Sequence, residues 1–162
     1  KMIKERSDLD FLFLTKRIER FEQCAPDDWG DGYDNVTIGC TVENQEIADR
    51  RLEIFTRLPV KHRNIVIQPM LGAVNIEKYL DFTEYVVVGG EYDKDARVFD
   101  YNWVLDVYDQ CVRHNVGFEL RQCGTNFLYN GKLCRLNYPM LFSRAKELNA
   151  CLKAGLLDNN NN

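Results

Sequence analysis

Short apolar runs alternate with longer amphipathic stretches along this chain, and that alternation predicts its elements. Residues 9–15 (LDFLFLT) form an apolar run of strand length and predict a buried strand. Residues 16–21 then open a helix, with Ile18 and Phe21 three apart on one face. Residues 26–32 are a loop by composition, with Trp29 as a packing anchor. Residues 35–42 are rich in β-branched side chains and predict the second strand. A helix follows to about Leu58, its apolar face carrying Ala48, Leu52, Phe55 and Leu58. Asn44 suits its N-cap, Glu46 suits the positive end of its dipole, and Pro59 ends it.

The same pattern continues. Residues 64–67 predict the third strand and residues 76–80 a short helix. The run Tyr85-Val86-Val87-Val88-Gly89 predicts a fourth strand, and its three successive valines suit burial on both faces. Residues 92–100 read as a loop. Residues 102–114 read as a helix with Val104, Val107, Tyr108 and Cys111 on one face. Residues 116–120 predict a fifth strand. Residues 127–134 predict a hairpin turning on Asn130-Gly131, a pair that suits the left-handed conformations of a tight hairpin turn. Residues 141–154 are a final amphipathic helix with Ala145, Leu148 and Leu152 in line. The asparagine-rich residues 156–162 read as a disordered tail or a cloning remnant.

Strand followed by helix, about five times over with short connections, is the signature of a parallel sheet flanked by helices. The fold class expected is therefore α/β, in a single domain over residues 1–155. A doubly wound sheet calls for a glycine-rich phosphate loop at the first strand–helix turn. That turn is Thr15-Lys16-Arg17, without glycine. We therefore expect parallel (β/α) repeats forming part of a TIM-like barrel, with a C-terminal hairpin and helix. A complete eight-fold barrel takes about 250 residues, more than the 162 present, so the chain fits the second half of one.

Composition narrows the class of partner. Net charge is −4 and the pI about 5.3, which gives no support to a broad nucleic-acid-binding surface. No apolar run approaches the roughly 20 residues needed to span a bilayer, and the opening Lys1-Met2-Ile3-Lys4-Glu5-Arg6 has no signal-peptide pattern. We expect a cytoplasmic protein without a membrane partner. The six cysteines show no C-x-x-C pair and no close metal-ligand spacing, so no metal site is expected and most are expected to be reduced, buried thiols. Cys123 and Cys134 flank the hairpin, but we expect no disulfide between them. His62 in a Lys-His-Arg turn and His114 at a helix C-terminus read as structural.

Candidate chemistry lies at the strand ends. The first strand ends on Lys16 and Arg17, the second on Glu43 and Asn44, the third on Gln68, the fourth on Glu91 with Arg97 beyond it, and the fifth on Arg121 and Gln122. In a (β/α) barrel the C-terminal ends of all strands open on one mouth. Cations there suit carboxylate or phosphate, and amides suit a polar or zwitterionic head group. The ligand-contact candidates are Lys16, Arg17, Glu43, Asn44, Gln68, Glu91, Arg97 and Gln122. No catalytic residue is assigned.

Several of these residues stand in a family pattern. Phe11-Leu12-Phe13-Leu14-Thr15-Lys16-Arg17 resembles the "FLxLTKRPERM" segment of an uncharacterised phage-protein family named for gene products thirty-seven and sixty-eight. Gly39-Cys40-Thr41-Val42-Glu43-Asn44-Gln45 resembles its "GVSVENQ". Gln68-Pro69-Met70-Leu71-Gly72 resembles "EPLLG", and Val88-Gly89-Gly90-Glu91 with Ala96-Arg97 resembles "VGGESG…AR". Asp109-Gln110-Cys111 and Arg121-Gln122-Cys123-Gly124 resemble "DQC" and "KQxG". The resemblance runs from about residue 9 to about residue 155. Gln68 replaces an acidic residue of that pattern and Arg121 a lysine.

Intact members of that family carry a cysteine cluster of the form C…C-x-x-C-Y-A, similar to that of radical S-adenosylmethionine enzymes. The resemblance implies a [4Fe–4S] cluster and S-adenosylmethionine as cofactors of an intact parent. This chain has no such motif, so the expectation is a C-terminal half, inactive alone, of a protein with unknown substrate. The cofactor-binding role of Gly-Gly-Glu in radical enzymes is not carried to Glu91, because here it follows a late strand. The alternative expectation is a non-catalytic half-barrel that pairs with its missing half or with a second copy through open strand edges.

Overall fold

The chain's structure is a computed structural model describing residues 2–155; the tail expected at 156–162 lies outside the described residues. A short helix, α1 (Met2–Glu5), precedes β1 (Phe11–Thr15). A 3-10 turn (Ile18–Arg20) runs into α2 (Phe21–Cys24), followed by β2 (Val36–Thr41) and α3 (Gln45–Phe55). Next come β3 (His62–Ile67), a 3-10 segment (Glu77–Phe82), β4 (Tyr85–Gly89), β5 (Val98–Asp100) and α4 (Tyr101–Arg113). The chain continues through β6 (Gly117–Gln122), β7 (Asn126–Tyr129), β8 (Lys132–Arg135) and α5 (Tyr138–Lys153).

Five strands form one parallel sheet in the order β1-β2-β3-β4-β6, and β5, β7 and β8 form a small second sheet. The five strands follow one another across the sheet without reversal. Ile38, Cys40, Ile65, Ile67, Val86, Val88 and Leu120 alternate onto one face and lie in the core. α3, α4 and α5 all bury residues in that same cluster: Ala48 and Leu52, Val104 and Val107, Ala145 and Leu148.

The opposite face carries Leu12, Leu14, Val66, Tyr85, Val87 and Glu119, and none of these joins the core cluster. Successive crossovers whose helices pack on one side produce this arrangement. An all-parallel sheet ordinarily has both faces covered, so the helix-free face is the structural peculiarity of the chain. An α/β fold is thus present.

The helix ends explain themselves. Asn44 caps α3 by accepting from the Ile47 N–H at 3.0 Å. Asp100 does the same for α4 through the Asn102 N–H, and Asn137 for α5 through the Met140 N–H. The β7–β8 hairpin turns on Asn130 and Gly131 at φ 49° and 72°, the two positive values that a tight hairpin turn requires.

Three expectations are corrected. The first strand is not buried: Leu12, Phe13 and Leu14 are 55%, 48% and 51% exposed, because Leu12 and Leu14 lie on the helix-free face and β1 is an edge strand with no neighbour beyond it. The helix expected to open at Lys16 is a 3-10 turn and one α-turn, held by the Arg20 N–H to Arg17 carbonyl bond. The loop over 92–100 contains β5, whose three residues are too few to show a period. Cysteine burial is also mixed, with Cys24 and Cys134 exposed while Cys40, Cys111 and Cys123 are buried, all free.

The sheet's two edges differ. At β6 the Asn149 side chain of α5 accepts from the Leu120 N–H at 2.9 Å and donates to the Leu120 carbonyl at 2.7 Å. One amide thus replaces a neighbouring strand at that point. At β1, the described residues supply no such cover.

Candidate functional site

The strand ends build a cleft of about 580 Å³ whose floor includes Leu14, Thr41 and Val66 from the helix-free face. Lys16, Gln68, Glu91 and Gln122 line it. Four of the eight residues expected from sequence therefore share one cavity, each from a different strand end. Glu43 and Arg97 stand behind them through ion pairs. Asn44 and Arg17 do not take part.

The backbone brings these ends together at close quarters. A Cβ on Gly90 would lie 2.4 Å from the Cα of Gly124 and 2.5 Å from its nitrogen, so the two segments cross at a distance only glycine allows. The Gly90 N–H donates to the Gln122 carbonyl at 3.2 Å, and the Gln122 side-chain amide donates to the Gly90 carbonyl at 2.9 Å. Gly89 gives room to Gln68, whose Cδ would lie 2.9 Å from a Cβ there.

Glu91 is fixed rather than free. Its Oε2 accepts from both the backbone N–H and the Nε–H of Arg97 at 2.9 Å, and a second guanidinium nitrogen bonds Oε1. The bidentate guanidinium holds the Glu91 carboxyl down to about 2, against an ordinary 4.5. Glu91 therefore enters the cleft as a carboxylate across the physiological range, unsuited to giving up a proton there. Thr125 donates its N–H to the Glu91 carbonyl at 2.9 Å, tying this loop to the second sheet.

On the other side Glu43 holds Lys16. The Lys16 ammonium lies 2.7 Å from Glu43 Oε1, and Arg51 donates to Oε2 at 2.9 Å and to the Thr41 carbonyl at 2.6 Å. Glu43 and Arg51 have side chains only 14% and 12% exposed, whereas Lys16 is 53% exposed. The sequence reading passed over Arg51. It lies eight residues after Glu43, two turns along an otherwise charged helix, and only the fold turns it toward the strand end.

The remaining candidates do other work. The Asn44 side chain is spent on capping α3. Arg17 lies outside the cleft and lines an apolar hollow of about 480 Å³ with Phe13, Phe21 and Trp29. Trp29 is the packing anchor expected, edge-on to Phe21 and donating its Nε1–H to the Pro59 carbonyl at 2.7 Å. His62 and His114 pair with Glu84 and Asp81, each of them far along the chain from its partner. Arg121 also lies away from the cleft, beside α5.

The described residues do not fit an iron–sulfur cluster. No three histidine, cysteine or acidic side chains among them are grouped to hold a metal. Burial also pushes the thiols of Cys40, Cys111 and Cys123 up to about 12, far from the thiolate that iron requires. No helix among the described residues is long and apolar enough to cross a membrane. The cleft's charged and amide groups, the Lys16 ammonium, the Gln68 and Gln122 amides and the carboxylates of Glu91 and Asp93, suit a head group carrying both an amine and an acid.

No curated protein and no solved structure matches the chain. A family model matches residues 1–151, and the chain belongs to the family it describes, "Protein of unknown function (DUF5131)".

Proposed function

We propose that the chain is the C-terminal part of a (β/α) barrel and that its strand-end cleft binds the amino-acid head of S-adenosylmethionine for a radical enzyme of unknown substrate. One observation supports this above others: Lys16, Gln68, Glu91 and Gln122, from four strand ends, line one cleft. The uninterrupted strand order and helices on one face agree with a barrel segment, whose helix-free face is a barrel interior. Lys16, oriented by Glu43, takes the carboxylate, and the Gln68 and Gln122 amides hydrogen-bond the rest of the head group. On this reading the chain alone is inactive, since the described residues offer no group of three ligands for the cluster.

Methionine and S-adenosylmethionine titrations followed by amide NMR test the binding. Both ligands are expected to shift the side-chain amides of Gln68 and Gln122, and Lys16→Ala to weaken both. Undisturbed amides at millimolar ligand sink the proposal. The radical chemistry is tested separately on a longer protein from the same gene, reconstituted anaerobically with iron and sulfide. Iron–sulfur absorbance with cofactor cleavage supports it; a gene without a cysteine cluster ahead of this segment refutes it.

A second reading is favoured by the exposed Leu12, Phe13 and Leu14 on the open β1 edge. On that reading the chain is a binding or assembly module whose β1 pairs with another strand, from the rest of a barrel or from a second copy. Light scattering on the wild type and on Leu12→Lys checks it: association abolished by the lysine supports it, and a strict monomer at high concentration counts against the second copy.

A further inference from the structure

The wall of the cleft beyond Glu91 is aromatic. Tyr92 lines the cavity and is 57% exposed. Its ring stands 5.0 Å from that of Tyr138 at 61°, and Tyr138 stands 5.2 Å from Phe142 at 72°. Tyr138 and Phe142 are 55% and 38% exposed on the first turns of α5. Edge-to-face contacts brace the three rings against each other. Tyr92, at the head of this chain of rings, therefore has the fixed orientation that stacking needs.

Three large aromatic side chains left to solvent in contact with one another form a patch, not a scattered exposure. Two features say what covers it. The patch is continuous with the polar cleft through Tyr92, Gly90 and Glu91. The opposite end of that cleft carries the Lys16 ammonium, anchored 2.7 Å from Glu43. A ligand that fills both parts has a flat, weakly hydrated π-system at one end and a charged group at the other.

We infer that Tyr92, braced by Tyr138 and Phe142, is the stacking platform for a planar heteroaromatic ring, of nucleobase type, on a ligand whose charged end lies among Lys16, Gln68 and Gln122. This rests on the reading of the cleft as a small-molecule site and adds the part of the ligand that reading leaves unplaced. Tyr92 contributes its face, so its hydroxyl is dispensable. Tyr138 and Phe142 act on the ligand through Tyr92 and are positioning residues.

Adenosine, which has the ring and no amino-acid head, tests the platform alone. Titrated into the full chain, it is expected to shift the ring protons of Tyr92 and Tyr138. Tyr92→Ala is expected to weaken it about tenfold, in line with the usual contribution of base–aromatic stacking, and Tyr92→Phe to leave it unchanged. Circular dichroism on both variants confirms folding, which an exposed loop position leaves intact. Absence of ring shifts at the solubility limit, or equal affinity in Tyr92→Ala, overturns the inference. Methionine, which has the head and no ring, reports on the earlier reading alone: adenosine bound without methionine sinks that reading and keeps this one, and the converse does the opposite.

Discussion

Glu91 and Arg97 are joined three times within a seven-residue loop: the Arg97 backbone N–H and Nε–H both reach Oε2 at 2.9 Å, and the guanidinium also bonds Oε1. Arg97 is mostly exposed and Glu91 is not, so the carboxylate faces the cleft while its cation faces water. The sign of the pH dependence follows. Glu91 binds its proton less readily when folded, so the pair stabilises the fold fully above the ordinary 4.5 and loses its effect as pH falls toward about 2. Arg97→Ala is expected to move the Glu91 midpoint upward from about 2 toward 4.5. Carboxyl carbon shifts in an acid titration measure it. An unchanged midpoint places the cause of the depression elsewhere.

Glycines at the strand ends differ sharply in what they can accept. Gly90→Ala sets a methyl 2.4 Å from the Gly124 backbone, which cannot move aside without breaking the strand-end hydrogen bonds. A loss of about 3 kcal/mol is expected, the upper range for overpacking. Gly72→Ala meets nothing within 4 Å and is expected to stay within about 0.5 kcal/mol of wild type. Urea denaturation of both variants decides the point, and equal stabilities contradict the crossing of the two segments.

Asn149 bears on the sheet edge. Removing its amide by Asn149→Ala leaves the Leu120 N–H and carbonyl without partners beside a residue only 1% exposed. A loss of about 2 kcal/mol is expected, the usual cost of a buried backbone group left unpaired. Hydrogen exchange locates the damage: the Leu120 amide is expected to lose protection while amides in β2 and β3 keep theirs.

Thiol labelling separates the cysteines. Cys24 and Cys134 are exposed and are expected to react in the native protein. Cys40, Cys111 and Cys123, buried and with thiols pushed up to about 12, are expected to react only on unfolding. Native labelling of Cys123 with an aromatic disulfide reagent runs against the packing of β6 and α5.

Much of the fold could be read from local chemistry. Val86 and Val88 announce a buried strand, Asn44 the start of α3, and Asn130-Gly131 the hairpin, because each effect acts within a few residues. The cleft was readable as far as strand ends set it: Lys16, Gln68, Glu91 and Gln122 all lie there. What escaped depends on neighbours distant in sequence. Leu12-Phe13-Leu14 looks buried by composition, and the helix-free face together with the lack of a strand beyond β1 leaves it in solvent. Asn44 looked equally fit for capping and for ligand contact, and one side-chain oxygen was already engaged. Arg51, Asn149 and the Tyr92–Tyr138 contact bridge separate elements, so no local pattern marks them.

The unequal edges of the sheet set a limit on stoichiometry. A head-to-tail contact, β1 of one copy on β6 of the next, would repeat without end, but the Asn149 amide and α5 already occupy the β6 position. Within the five-stranded sheet, copies can then meet only β1 to β1, which places a two-fold axis between them and uses up both open β1 edges. A contact of that kind closes at two and does not itself extend into a filament.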